Sequence, residues 1–324
     1  MIQNYKKLII SFTCSLSVCL LMVCVGKKAD TMYTIGIVQI VEDPMLDLAR
    51  NSVIEALHDE GFIEGENIRI DYQSAQGEIS NITLILKNFL SRKVDMIITN
   101  STPCMAAAAQ MVDEIPVVFT VSFGPDQIGI KNVPPNLTGV YDPFEMDGFV
   151  RLVRSSVPSL NKIGILYNPT EPNARFGADQ LTKECARQNV TVVEMSVFSS
   201  NDVLQTARSL AQKDVDAFAI AADNTVHLAI DAFVKVAEDQ KIPLFVTDPS
   251  QVERGACAGL GIDYGDWGRE SGKIAAAIIR GQDPSELPVR AMQPRRLSLN
   301  LKAAAAQGIS FPPELIAKAD KVIE

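Results

Sequence analysis

Histidine is almost missing from this chain of 324 residues: there are 2, His58 and His227, far apart in sequence. Metal centres and most acid–base hydrolases lean on imidazole, and its scarcity argues against both. Positive charge is also short. Lys and Arg total 30 against 39 Asp and Glu, a formal net charge of −9, and no basic cluster interrupts that balance. An acidic body repels phosphate backbones, so nucleic acid is not an expected partner. No G-x-G-x-x-G follows the first strand-like run and no G-x-x-x-x-G-K-[ST] occurs, which leaves out the phosphate-cradling loops of dinucleotide and NTP enzymes. Neither G-x-S-x-G nor H-E-x-x-H is found. The chain is therefore expected to be no enzyme, and to need neither a cofactor nor a metal.

What is present begins with an apolar leader. Lys6 and Lys7 precede a run from Leu8 to Val25 broken only by Ser, Thr and Cys, and Lys27, Lys28 and Asp30 close it. This reads as a secretory signal. A single membrane anchor is the alternative, since the run approaches spanning length, but a folded body follows after only a short polar spacer. Of 6 cysteines, Cys14, Cys19 and Cys24 lie in the run. Leu21-Met22-Val23-Cys24 resembles a lipobox, with Cys24 as the candidate lipidation site, although Val23 stands where Gly, Ala or Ser is usual. Cys104, Cys185 and Cys257, odd in number and irregular in spacing, make neither a disulfide framework nor a zinc site. The reading is an exported protein, periplasmic or lipid-anchored at the outer face of the cytoplasmic membrane.

Hydrophobic content of 47% with 21% charged residues describes a globular body, and the length suits two α/β domains. Thr34–Ile40 is a β-branched apolar run, as in a strand buried on both faces. Apolar spacing then predicts a helix from Pro44 to His58, stopped at Gly61. Strands at Ile68–Tyr72, Val94–Ile98 and Ile115–Val121 alternate with helices at Asn81–Leu90 and Met105–Met111. The order restarts after Tyr141-Asp142-Pro143, with strands at Lys162–Tyr167, Val190–Ser196, Ala217–Ala221 and Leu244–Val246 among further helices, the last at Gly268–Arg280. This predicts an α/β fold of two doubly wound parallel-sheet lobes joined by a hinge. The boundaries are 1–30 for leader and spacer, 31–145 for the first lobe and 146–324 for the second, with part of 260–324 crossing back. Gly255, Gly259, Gly261, Gly265 and Gly268 read as a hinge and turn region.

In open α/β sheets ligands sit beyond the strand carboxyl ends, so candidate contacts can be named. Gln39 ends the first strand. Ser101 or Thr102 is placed to cap a helix whose first turn holds Pro103, and a helix start beside a hydroxyl suits a carboxylate. Phe123, Tyr141 and Asp142 follow at the next strand end and the seam. Asn168, then Asp223, Asn224 and Thr225, end strands of the second unit, where an Asp can pair with an ammonium group. Thr247 and Asp248 read first as helix caps. Phe144, Tyr167, Tyr264 and Trp267 also fall near the seam or strand ends, and as a set they favour a ligand with an apolar part.

Several stretches, in order from about Tyr33 to Glu324, carry a family resemblance. They include Ile35-Gly-Ile-Val-Gln-Ile-Val-Glu42, Asp71-Tyr-Gln-Ser-Ala-Gln-Gly77, Leu166-Tyr-Asn-Pro-Thr-Glu-Pro-Asn173, Ala222-Asp-Asn-Thr-Val226 and Leu260-Gly-Ile-Asp-Tyr264. The chain resembles the ABC transporter substrate-binding proteins that include tryptophan- and tyrosine-binding lipoproteins. The resemblance implies a type I periplasmic-binding-protein fold with three crossovers, a small-molecule ligand, and a membrane permease with its ATPase as partners of a monomer. It supports Gln39, Thr102, Asn168, Asp223 and Asn224 as ligand contacts. It also marks departures: Phe123-Gly124-Pro125 replaces a Thr-Asp-Pro loop, Ala174 stands in place of a Ser, and Asp43 in place of a His. An extracytoplasmic sensor feeding a signalling partner is the alternative role.

Overall fold

The computed structural model describes residues 32–324; the leader and Cys24 lie outside the described residues. The first sheet has the order β11-β5-β4-β3-β1-β2. Its strands are β1 (Tyr33–Gln39), β2 (Ile68–Ser74), β3 (Met96–Asn100), β4 (Val117–Ser122), β5 (Leu137–Tyr141) and the short β11 (Arg290–Ala291). All its pairings are parallel. The helices of this lobe are α1 (Pro44–Asp59), α2 (Ile79–Ser91), α3 (Thr102–Met111) and α9 (Tyr264–Ile279).

The second sheet has the order β13-β12-β10-β9-β8-β6-β7. Its strands are β6 (Lys162–Tyr167), β7 (Thr191–Ser196), β8 (Ala217–Ile220), β9 (Leu244–Val246), β10 (Ala258–Gly261), β12 (Arg296–Asn300) and β13 (Lys321–Ile323). Helices α4 (Met146–Ser156), α5 (Pro172–Arg187), α6 (Val203–Ala211), α7 (Asn224–Leu228), α8 (Ile230–Gln240), α10 (Leu301–Ala306) and α11 (Pro313–Ile316) complete this half. One pairing breaks the parallel pattern, because β12 runs antiparallel to β10. Among the described residues no helix is long and apolar enough to cross a membrane.

Both sheets are wound on two faces, and the strands show why. Ile35 and Ile37 of β1 pack with Trp267 and Ile278 on one face, while Val38 packs with Phe89 and Phe119 on the other. In β8, Ala217 and Ala219 face one cluster, and Phe218 and Ile220 face the other. Side chains alternate across a pleat, so a strand with no polar position is one whose two sides are both covered.

The chain passes between the sheets at three places: Asp142 to Glu145, Ile262 to Asp263, and Met292 to Arg295. Arg295 ties two of these together by donating to the carbonyls of Glu145 and Leu260. The segment from Tyr264 to Ala291 thus packs with the first sheet, and the chain returns at β12.

The glycine-rich stretch contains the crossing at Ile262–Asp263, but its glycines lie outside that crossing. Gly259 and Gly261 lie in β10, and Gly265 and Gly268 lie in α9; only Gly255 of the five has a positive φ, 106°. Close packing is the reason for them. A Cβ on Gly261 would stand 1.8 Å from the Thr247 carbonyl oxygen, and one on Gly268 would stand 2.1 Å from that of Ala49. Helices α1 and α9 therefore touch backbone to backbone. Gly268→Ala is expected to lower unfolding free energy by about 1–3 kcal/mol, the usual cost of overpacking. Urea denaturation checks this, and an unchanged midpoint would mean that the α1–α9 contact can spread freely.

Candidate functional site

Strand carboxyl ends from both sheets meet around a cavity that offers about 50 Å³ to the centres of water-sized molecules. Ser101, Thr102, Ser122, Phe123 and Asp142 line it from the first sheet and the first crossing. Asn173, Asp223, Asn224, His227, Thr247 and Asp248 line it from the second. Phe144, Ile262, Tyr264 and Trp267, on or beside the crossings, close it.

One end favours an anion. Ser101 precedes α3 with φ 114° and ψ 157°, a backbone state that a non-glycine residue holds only under constraint. Its hydroxyl is buried and has no protein partner. It does not cap the helix through its side chain, contrary to the simple capping expectation. Thr102 instead accepts from the Phe123 N–H at 3.1 Å, tying α3 to the end of β4. The first-turn N–H groups of α3 have no acceptor within the helix and lie at the positive end of its dipole.

The opposite side favours a cation. Asp223 is 1% exposed. One of its oxygens accepts from the Asn168 N–H at 2.6 Å and the other from the Val226 N–H at 2.7 Å. Burial, followed by the nearby negative charge of Glu171, raises its pKa well above the usual carboxylate range. Asp142 and Asp248 are also raised by burial, with Arg295 and His227 respectively opposing the shift. Burial lowers the pKa of His227, holding it neutral. A ligand ammonium would relieve these carboxylates of an unfavourable environment.

Between the two ends the wall is aromatic. The Phe123 ring lies 4.7 Å from that of Phe144 and 4.8 Å from that of Phe176. Trp267 donates its indole N–H to the Val140 carbonyl at 2.8 Å, so its polar atom is satisfied and its ring is left to pack.

Six of the ten candidates share the cavity wall: Ser101, Thr102, Phe123, Asp142, Asp223 and Asn224. The other four do not line it. Gln39 is wholly buried and saturated, donating to the Val41 carbonyl and Asp47 and accepting from Arg50 and Asn100. Asn168 and Thr225 bond to each other behind the wall. Tyr141 is half-buried beside Gly124. Asp248 caps the turn at Pro249–Arg254 as expected, Thr247 instead accepts from the Ala222 N–H at the end of the neighbouring strand, and both face the cavity.

Glu171 was not among the candidates, yet it organises this side. Its carboxylate accepts from the N–H and side-chain amide of Asn224, the N–H and hydroxyl of Thr225, and the Asn173 amide. A Glu after Asn-Pro-Thr gave no sign of this, because four of its five donors, on Asn224 and Thr225, lie more than 50 residues on. Gly177 lets α5 come close enough, since a Cβ there would lie 2.2 Å from the Ala221 carbonyl oxygen. Glu171→Ala should orphan several buried donors and lower ligand-free stability by about 2–3 kcal/mol. Urea unfolding measures this, and no loss would mean that the 223–225 turn is held elsewhere.

Comparison with known proteins places this geometry. The model of the ABC transporter substrate binding protein family matches residues 34–323. A tyrosine-binding protein of Clostridioides difficile is 33% identical over 294 residues, covering 88% of this chain and 85% of that one. A Streptococcus pneumoniae protein solved in complex with L-Trp superposes with a TM-score of 0.83 at 26% identity, covering 90% of this chain and 99% of that chain. A ligand-free, open substrate-binding protein with adhesive properties from Clostridium difficile has the same coverages and 31% identity, but a TM-score of 0.66. The chain belongs to the ABC transporter substrate-binding protein family.

Proposed function

We propose that this protein is the exported binding component of an ABC importer, and that its ligand is an amino acid with an aromatic side chain. The observation that carries the reading is the cavity itself, which joins a helix start, buried carboxylates and an aromatic wall. The α3 N-terminus with Ser101 and Thr102 would take the ligand carboxylate, and Asp223 with Asn224, Asp142 or Asp248 its ammonium. Phe123 and Trp267 would pack on the side chain. Phe123 gives the first-lobe side of the cavity an apolar face beside Ser101, Thr102 and Ser122. The names of the tyrosine-binding relative and of the L-Trp complex point the same way.

Capture would proceed by closure of one lobe on the other around the crossings. This chain superposes better on the L-Trp complex than on the ligand-free open protein, despite lower identity to the former. That difference supports a closed arrangement here, since lobe rotation lowers overall similarity without altering either lobe. A permease with its ATPase would receive the ligand, and the protein would act as a monomer at the outer face of the membrane. The leader from Leu8 to Val25, with Cys24, supports that location. A binding role rather than catalysis suits the thiols of Cys104, Cys185 and Cys257, which burial pushes up to about 12, away from reactive thiolate.

A thermal-shift screen of the mature protein tests this. L-tyrosine or L-tryptophan should raise the midpoint with concentration; a response to sugars and to no amino acid would contradict the reading. Asp223→Ala should weaken binding at least about 30-fold, as expected when a buried charge pair loses one partner. Unchanged affinity would remove Asp223 from the site.

The pH dependence has a definite sign. With its pKa raised in the ligand-free protein, Asp223 contributes stability in acid and loses it as pH rises through that pKa. An ammonium partner needs the ionised carboxylate. Calorimetric titration should therefore find affinity falling as pH drops through the raised pKa, and ligand-induced stabilisation growing as pH rises. A flat profile would show that Asp223 does not meet the ammonium group.

A further inference from the structure

Beside the ligand cavity lies a smaller chamber, and residues from both sides of the cleft wall it. Asp43 and Tyr264 enter from the first lobe, and His227, Asp248 and Gln251 from the second. Three buried atoms on these side chains have no hydrogen-bond partner: Asp43 Oδ2, which has only the longer ion pair with Arg254, His227 Nε2 and Gln251 Oε1. Such atoms are rare in native proteins, and three on one wall call for a shared explanation.

The side chains cannot turn to satisfy one another. Asp43 is held through its other oxygen, which accepts from the Met45 N–H and caps α1. Gln251 donates its amide to Asp248 at 3.3 Å, and flipping that amide would set its oxygen against the Asp248 carboxylate. These bonds hold Asp43 and Gln251 with one oxygen each left over beside the chamber.

We propose that the chamber takes one water molecule, which bridges the two lobes when they close. It offers about 10 Å³ to the centre of a water, the room of a single molecule. The donors and acceptors match. A neutral His227 carrying its proton on Nε2 donates to the water, and the water donates to Asp43 Oδ2 and Gln251 Oε1. A cation fits less well, because the Arg254 guanidinium already stands 3.7 Å from Asp43 Oδ2. No group of three or more His, Cys, Asp or Glu among the described residues could hold a metal. The bond to Asp43 reaches one lobe and the bonds to His227 and Gln251 reach the other, so the full set forms only in the closed state. The water acts as a latch on closure, and this role rests on the capture mechanism proposed above.

Two measurements test it. In a high-resolution crystal structure of the closed protein, a solvent peak should stand within about 3.2 Å of both Asp43 Oδ2 and Gln251 Oε1. A ligand atom in that place, an empty chamber, or contacts of about 2.3–2.6 Å that mark a cation would each overturn the proposal. This arm does not depend on which ligand is bound.

In solution, release of L-tyrosine can be followed by stopped flow through Trp267, the one tryptophan of the chain. Gln251→Leu, which fills the chamber, and Asp43→Asn, which keeps a capping oxygen, should each release L-tyrosine about tenfold faster, as for loss of one bridging contact. Ligand-free thermal midpoints should stay close to wild type. Unchanged release rates overturn the latch. A wild-type protein that binds no aromatic amino acid contradicts the proposed function instead, and the crystallographic arm then decides the latch alone.

Discussion

Four carboxylates, those of Asp142, Glu171, Asp223 and Asp248, are each 5% exposed or less, and they crowd the cleft between the two sheets. Burying charge is costly unless it is bonded or paired, so the local architecture is organised around that cost. Glu171 is met by five donors from Asn173, Asn224 and Thr225. Asp223 and Asp248 accept from the N–H groups of the turns that they begin. Asp142 accepts from the Phe144 N–H and faces Arg295. These bonds fix the shape of the wall but leave Asp223 short of a positive partner. That shortfall is what a cationic ligand group would fill.

The sheets bring the carboxylates within reach of one another. A parallel strand delivers its carboxyl end to the same edge as its neighbours, so two such sheets joined by three short crossings present their loops to one cleft. Closure then does two things at once. It removes water, which strengthens every charge interaction inside, and it places the aromatic rings against whatever the charged ends hold. The close α1–α9 contact, made at Gly268 against Ala49, would hold these two helices together while the crossings took up the proposed motion.

The sequence made much of this legible, for reasons tied to particular residues. Runs such as Ile35–Val38 and Ala217–Ala221 are apolar throughout because both faces of each sheet are covered, and that pattern is local. Ser101, Thr102, Asp223 and Asn224 stood out because they follow such runs directly. What stayed hidden depends on distant partners. Gln39 ends a strand as the cavity residues do, yet Arg50, Asp47 and Asn100 use up its bonding capacity. Gly265 and Gly268 read as turn glycines until α1 is laid against them. The antiparallel β12 and the two-residue β11 are too short, and too dependent on their neighbours, to announce themselves.

Capture of an aromatic amino acid, as proposed, requires closure of this cleft. Small-angle X-ray scattering of the mature protein, with and without saturating L-tyrosine or L-tryptophan, tests it most directly. Ligand should give a smaller radius of gyration, with scattering that matches the arrangement in which both sheets meet around the cavity. An unchanged radius on addition of a ligand that binds would contradict it.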